Sequence, residues 1–334
     1  MKAFTVERYG DAAAVQAGDV PDPRVGDDDV LVQVHAASVN PLDLKTRDGD
    51  FKAILPYRVP FILGNDMAGV VVGVGARVTR FTVGDEVYAR PDKNRIGTLA
   101  ELIAIHQDDL ATKPTTLTME EAASIPLVGL TSWQALVERA NLKPGQKVLI
   151  HAGSGGVGTI AIQLAKQLGA SVATTTSTEN IELVKDLGAD VVVDYKTQAF
   201  ETVLHDYDVV LDTLGGETLE KSLQVLRPGG KLISIAGPPD PAFAKELGAN
   251  PLISLAMAAL SFRTRQRARR HHVTYSFLFM RASGSQLREL TSLIEAGNIR
   301  PVVDRVFAFE STRDALTYVE EGRARSGKVV VTMR

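Results

Sequence analysis

The 334-residue chain has no cysteine and a single tryptophan. Without a thiol it can form neither a disulfide nor a cysteine-ligated metal centre, and it has no sulfur nucleophile. It also lacks a charge of one dominant sign. Its 37 Lys and Arg stand against 40 Asp and Glu, a formal net charge of -3. That balance gives no bulk attraction to nucleic acid or to an anionic membrane. Long apolar runs are missing too. No segment reaches the roughly 18 apolar residues of a membrane-spanning helix, and the opening "MKAFTVERYG" has no apolar core of a signal peptide. These absences point to a soluble protein of the cytoplasm, without a nucleic-acid or membrane partner. The one contrary feature is "RTRQRARRHH", Arg263–His272. No aromatic residue is interleaved with it, so it reads as a solvated helix face ahead of a strand rather than a nucleic-acid patch.

What is present is ordinary globular composition, 45% hydrophobic and 23% charged. At this length two domains are expected. From Met1 to about Glu121 the chain shows short valine-rich runs broken by turns, among them "DVLVQVHAAS", "AGVVVGVGARV", "FTVGDEVYA" and "LAELIAIH". They predict a β-rich domain, a distorted barrel. From about Ala122 the texture changes. Apolar strands ("KVLIHAG", "SVATTTS", "DVVVDY", "YDVVLDTLG", "GKLISIAG") alternate with helical segments, including Val157–Leu168, Thr197–Leu204 and Thr218–Leu226. That alternation predicts right-handed βαβ units and a doubly wound parallel sheet, an α/β fold. A sixth strand is expected at "TYSFLFM", Thr274–Met280, and the β run "GKVVVTM" closes the chain.

The segment "HAGSGGVGTIAIQLAK" satisfies G-x-G-x-x-G with Gly153, Gly155 and Gly158, between an apolar strand and an amphipathic helix. In that context each glycine has a task. Gly153 permits the tight turn, Gly155 lets a pyrophosphate approach the backbone, and Gly158 lets the helix pack on the strand. Ser154, Gly156 and Val157 complete the loop, and the helix N-terminus offers unpaired N–H groups to phosphate. The next strand ends near Thr176–Ser177. A dinucleotide site for NAD usually carries a carboxylate there to hold the ribose hydroxyls. Here hydroxyls stand in that place, and Glu179 is assigned to the following helix. The pattern favours NADPH.

The ordered series "HAASVNPLDLKTRDG", "GNDMAGVVVGVG", "VGDEVYA", "GTLAELIAI", "AASIPLVGLTSWQAL", the glycine loop, "LGADVVVDY" and "RSGKVVV" resembles the medium-chain dehydrogenase/reductase superfamily, in its zinc-free, NADPH-dependent quinone oxidoreductase branch. The resemblance spans nearly the whole chain. It implies a GroES-like catalytic domain from residues 1–121 with 277–334. It implies a Rossmann domain from 122–276, with cofactor and substrate in the cleft, and a homodimer formed through the edge strand "TYSFLFM". Zinc members carry a cysteine in the early loop and a Gly-His-Glu. This chain has Asn40 and Asp43 in the loop and Asn65–Asp66 at the second place, so no metal is expected. The resemblance places Asn40 and Thr131 by the nicotinamide, and Gly156 and Val157 at the pyrophosphate. It sets Ser177, Asn180 and Tyr195 at the 2′-phosphate and adenosine end, beside the Thr176 hydroxyl already noted. Leu214, Ala236 and Gly237 follow the fourth and fifth strands, and Phe277 with Phe279 closes over the nicotinamide. Several members have Lys where this chain has Ile181.

The reading is an NADPH-dependent, metal-independent oxidoreductase that passes hydride to a quinone or an α,β-unsaturated carbonyl. Conjugation delocalises the anion formed on hydride addition, so less Lewis-acid help is needed. The alternatives are a 2-enoyl thioester reductase and an NADPH-binding protein without significant turnover. Tyr57, Asp43 and Lys45 are the candidate proton donors.

Overall fold

Valine-rich segments and turn signals set the first third of the chain as strands. In a computed structural model that describes residues 1–52 and 55–333, these are β1 Lys2–Val6, β2 Val15–Asp19, β3 Asp29–Val39, β4 Phe61–Ile62, β5 Asp66–Val74, β6 Glu86–Ala89, β7 Leu102–His106 and β8 Leu110–Thr112. The central stretch adds β9 Lys147–Ile150, β10 Ser171–Thr176, β11 Val191–Asp194, β12 Tyr207–Asp212, β13 Leu226–Ser234 and β14 Thr274–Phe277. Strands β15 Val303–Ala308 and β16 Lys328–Thr332 close the chain. Two units result, Met1–Leu130 with the segment from Arg281 onward, and Thr131–Met280.

In the first unit β15-β16-β3-β5-β6-β8 form one sheet with β7 paired to β3, and β2-β1-β4 form a second. The register fixes which residues share a rim. Val329 pairs with Val39, Ser38 with Asp66, and Met67 with Ala89. In these antiparallel ladders the end of β3, the start of β5, the end of β6 and the start of β16 therefore meet at one edge. The inward faces are Val, Ala and Leu from each strand, joined by Phe4 and Phe309 in one apolar core.

The second unit holds one parallel sheet in the order β11-β10-β9-β12-β13-β14. That is the Rossmann arrangement, and the order reverses between β9 and β12. Val148, Leu149 and Ile150 of β9 and Val209, Val210 and Leu211 of β12 are all buried. Covered on both faces, such strands need apolar runs rather than alternation. Parallel pairing puts Ile150, Thr176, Asp194, Asp212, Ser234 and Phe277 at the same, carboxyl edge of the sheet.

Two local expectations are corrected. The sixth strand stops at Phe277 rather than Met280, and on its way out the Phe277 N–H donates to the Asp240 side chain. The helix foreseen at 197–204 is one turn, Phe200–Val203, since Asp194 caps the preceding residues as a turn. The basic run lies on helix Phe262–Arg270, with Arg263, Arg267, Arg269 and Arg270 exposed. Among the described residues no helix is long and apolar enough to cross a membrane.

Candidate active site

In the second unit β9 leads through Ala152–Gly155 into helix Gly156–Gln167. The left-handed residue of this turn is Ala152 (φ 51°), not a glycine. The glycines are needed for space. A Cβ on Gly153 would stand 2.1 Å from Thr174 Oγ1, and one on Gly158 would stand 2.3 Å from the Ala152 carbonyl oxygen. A Cβ on Gly155 would meet only the Ala152 oxygen, at 3.3 Å, so this glycine keeps a backbone face open. Gly155 is also the N-cap, and no side chain caps the helix there. The first N–H groups of a 12-residue helix thus remain available to an anion.

Asn180 ties the loop to the end of β10. Its Nδ2 donates to Ser154 Oγ at 3.3 Å and to Ser177 Oγ at 3.2 Å. Thr176 ends β10 with its hydroxyl buried and unpartnered. Ser154, Thr176, Ser177 and Asn180 are therefore brought together. Here the sequence reading needs correction. Glu179 lies in a 3-10 turn, Thr178–Asn180, and its carboxylate hydrogen-bonds the Ser177 side chain. A carboxylate does stand at the end of β10. It also accepts from Lys196 Nζ at 2.7 Å, and that bond holds its pKa down to about 2. Lys196 comes from the residues after β11, beside the exposed Tyr195. A search along β10 and its helix could not find it.

The other predicted positions line the same edge. Asp212, at the end of β12, accepts from the N–H of Leu214 and of Gly215, and from Ser234 Oγ at 2.6 Å. Ser234 Oγ in turn accepts from the N–H of Ala236 and Gly237. One carboxylate and one hydroxyl thereby fix both loops, and Leu214 is left exposed. The Phe277 ring packs edge-on against Phe243 at 5.0 Å, with Phe279 at 6.1 Å from the same ring. Thr131 is buried on helix Pro126–Trp133.

In the first unit, the shared rim of β3, β5, β6 and β16 gathers Asn40, Asp43, Asn65, Asp66 and Lys328, all buried. Asp66 Oδ1 accepts from the Leu127 N–H at 2.7 Å. Its Oδ2 accepts from Ser38 Oγ at 2.7 Å and Asn40 Nδ2 at 2.8 Å, and lies 3.4 Å from the Lys328 ammonium. Lys328 Nζ also donates to Asn40 Oδ1 and to the carbonyl oxygen of Val39. Asp43 accepts from the Asn40 N–H and from Asn65 Nδ2, each at 2.7 Å. The Asn40 amide is thus held in one orientation by a carboxylate and an ammonium. Lys328 was missed from sequence; its only signal was a lysine opening an otherwise apolar strand.

The three candidate acids separate here. Burial pushes Asp43 up to about 6, against the donors Asn65 and Asn40. At neutral pH it is a carboxylate with both oxygens engaged. Lys45 is exposed on helix Pro41–Asp48. Tyr57 is half-buried, its hydroxyl donates to the Lys93 carbonyl oxygen, and burial pushes it up to about 12. Of the three, only Tyr57 combines a proton at neutral pH with a place among the charges of the rim.

One histidine supplies a stability prediction. His151 is buried at the end of β9, bonded to Thr175 and Ser222, and burial pulls its pKa from 6.5 to about 4. The unfolded chain binds this proton more readily, so stability is present above 6.5 and lost as pH falls toward 4, by about 3 kcal/mol. Asp43 acts oppositely, because its raised pKa makes the folded state gain stability as pH drops through 6. Urea titrations of wild type and His151→Gln at pH 7 and pH 4.5 separate them. The advantage of wild type over the variant should shrink by about 2–3 kcal/mol at the lower pH.

Comparison with known proteins gives two family matches, the second of which runs from the second unit into the closing segment of the first. A family described as alcohol dehydrogenase GroES-like domain matches residues 26–115, and one described as zinc-binding dehydrogenase matches residues 187–331. The NADPH-dependent alkenal/one oxidoreductase of Arabidopsis thaliana, a chloroplastic protein, is 36% identical over 342 residues, covering 99% of this chain and 79% of the relative. The quinone oxidoreductase structure from Coxiella burnetii superposes with a TM-score of 0.87 at 32% identity, covering 100% of this chain and 99% of the other. A mycobacterial structure complexed with NADPH gives a TM-score of 0.82 at 29% identity, with 99% of both chains covered.

Proposed function

The chain belongs to the medium-chain dehydrogenase/reductase superfamily, in its quinone oxidoreductase branch, and on that premise we propose that it is an NADPH-dependent, metal-independent reductase of quinones and α,β-unsaturated carbonyls. The observation that carries the cofactor is the open, uncapped start of helix Gly156–Gln167 beside the cluster Ser154, Thr176, Ser177 and Asn180. Gly155 admits the pyrophosphate, the helix N–H groups hold it, and Ser177 with Lys196 receives the 2′-phosphate end. The bound dinucleotide supplies the hydride. The phosphate ester has to take Lys196 from Glu179, so the choice between NADPH and NADH rests on that competition.

Zinc does not fit the first unit's donor set. Stable zinc sites are built from Cys, His and carboxylates in tetrahedral array. Here Asn40 and Asn65 offer amides, and the cation position between Asp66, Asn40 and Val39 is filled by the chain's own ammonium, Lys328. No metal step is needed for an acceptor whose carbonyl is already conjugated. A proton at the α-carbon converts the enolate into the saturated carbonyl, and we take water as its source, with Tyr57 as the candidate side chain once its hydroxyl leaves the Lys93 carbonyl oxygen.

Steady-state oxidation of NADPH against quinones, enals, enones, enoyl-CoAs and saturated aldehydes tests the reading, with NADH as control. Turnover is expected with the first three classes and not with saturated aldehydes. Tight NADPH binding with no oxidation by any acceptor would overturn it, and a preference confined to enoyl-CoA would move the protein to thioester reduction.

The protein is further proposed to self-associate through the edge strand β14 and, separately, the apolar face of helix Pro251–Leu260, where Leu252 and Leu255 are 78% and 69% exposed, with Leu260 and Phe262 also exposed. An apolar face of this kind marks an interface. Leu255→Asp should shift a dimer toward monomer in sedimentation velocity without changing the far-UV spectrum.

A further inference from the structure

Ala152 is the strained residue of the glycine turn. Its φ of 51° lies in the left-handed region, which a residue with a Cβ avoids. Such a backbone persists only where its surroundings over-determine it, and Thr175 on β10 supplies two bonds that do so. The Ala152 N–H donates to Thr175 Oγ1 at 3.2 Å, and the Gly153 N–H donates to the Thr175 carbonyl oxygen at 2.9 Å. Ala152 in turn shapes the phosphate end of the loop. Its carbonyl oxygen accepts from the Gly155 N–H at 2.9 Å and is the atom that a Cβ on Gly158 would strike. Residues 154–157 are half-buried, so a ligand can reach this backbone.

The Thr175 hydroxyl is itself aimed by His151. Ser222 Oγ donates to the Thr218 carbonyl oxygen at 2.7 Å, so its oxygen accepts from His151 Nε2–H at 2.9 Å. Burial keeps the ring neutral, so Nδ1 carries no proton and accepts. The atom facing Nδ1, at 3.1 Å, is Thr175 Oγ1. Its single proton goes to the ring, and its lone pairs are left to accept from Ala152. The Phe200 ring packs edge-on against the imidazole at 4.6 Å and fixes its plane. The bonds therefore run one way, from the Ala152 N–H through Thr175 and His151 to Ser222 and Thr218 on helix Gly216–Val225.

We propose that His151 is a positioning residue of the dinucleotide site. Through the Thr175 hydroxyl it holds Ala152 left-handed, and so keeps the open Gly155 face and the N–H groups of Gly156 and Val157 where a pyrophosphate meets them. The inference rests on the dinucleotide reading of the loop. His151 touches neither cofactor nor acceptor, so its effect falls on the affinity that NADPH and NADH share rather than on hydride transfer.

Calorimetry on the full-length protein tests this with NADPH, NADH and ADP, which carry the pyrophosphate, and with 2′-AMP, which does not. Thr175→Val keeps the shape of the side chain and removes its hydroxyl. It should weaken NADPH, NADH and ADP by one common factor of about ten and leave 2′-AMP within about twofold. Thr175→Ser restores the hydroxyl and should bind as wild type does. His151→Gln sets an amide at the Nε2 position and nothing at Nδ1, and should follow Thr175→Val. His151→Asn sets its amide at the Nδ1 position, where its oxygen accepts from Thr175, and should recover most of the loss. In turnover the change should fall on the KM for the nucleotide rather than on kcat. The histidine pair carries the test if Thr175→Val does not fold. Unchanged ADP affinity in folded Thr175→Val, an equal loss for 2′-AMP, or Asn no better than Gln overturns the proposal. If wild type ignores 2′-AMP, the ADP comparison and the Asn rescue decide alone. No nucleotide bound by wild type would reject the dinucleotide reading itself; binding that both Thr175→Val and His151→Gln leave intact would reject only the positioning role.

Discussion

Replacing Lys196 by methionine should raise the KM for NADPH by roughly tenfold or more while leaving that for NADH nearly unchanged. The prediction follows from where the charges lie. Three groups meet at the end of β10: the Ser177 hydroxyl, the Glu179 carboxylate and the Lys196 ammonium, with Lys196 and Glu179 2.7 Å apart. A 2′-phosphate carries close to two negative charges and outcompetes one exposed carboxylate for the ammonium. A free ribose hydroxyl gains little from Lys196 and something from Glu179. Glu179→Gln should therefore move selectivity the other way, lowering the KM for NADPH several-fold and weakening NADH. Initial rates of both variants with both nucleotides at fixed acceptor decide it. Equal changes for the two cofactors in Lys196→Met would remove this lysine from the site.

Lys328→Met should be the most destabilising single change at the rim of the first unit, by about 3–5 kcal/mol in urea unfolding. The ammonium is buried and is the only cation bonded to Asp66 among the described residues. Its removal leaves the Asp66 carboxylate with neutral donors alone (Ser38 Oγ, Asn40 Nδ2 and the Leu127 N–H). It also frees the Asn40 amide, whose oxygen Lys328 holds. Pairing the change with Asp66→Asn removes the orphaned charge, so the double variant should recover much of the loss. Lys328→Arg keeps the charge but not the compact geometry, and should fall between wild type and Lys328→Met. Additive losses in the double variant would mean that the two groups do not share one electrostatic site.

Much of the fold could be read from periodicity. Apolar runs such as "KVLI" and "DVVL" fill strands covered on both faces, and the glycine loop sits between strand and helix as its spacing required. The functional rim was less legible, for a physical reason. Lys328 and Asp66 are 262 residues apart and meet only because β16 pairs with β3, and β3 with β5. Lys196 reaches the end of β10 from the neighbouring parallel strand. Such residues are defined by register across strands, which sequence spacing along one strand does not encode. The glycine loop, by contrast, is built from consecutive residues. Even there the reason changed: the turn's left-handed residue is Ala152, and the glycines make room for Thr174 and for the helix.

Transfer of deuterium from NADPH labelled at C4 to an α,β-unsaturated ketone tests the central claim most directly. Mass and NMR spectra of the product should place one deuterium on the carbon β to the carbonyl, with a saturated ketone formed in equal amount to the NADPH consumed. Deuterium on the carbonyl carbon, as in an allylic alcohol, or NADPH consumed with no label in the product, would contradict it.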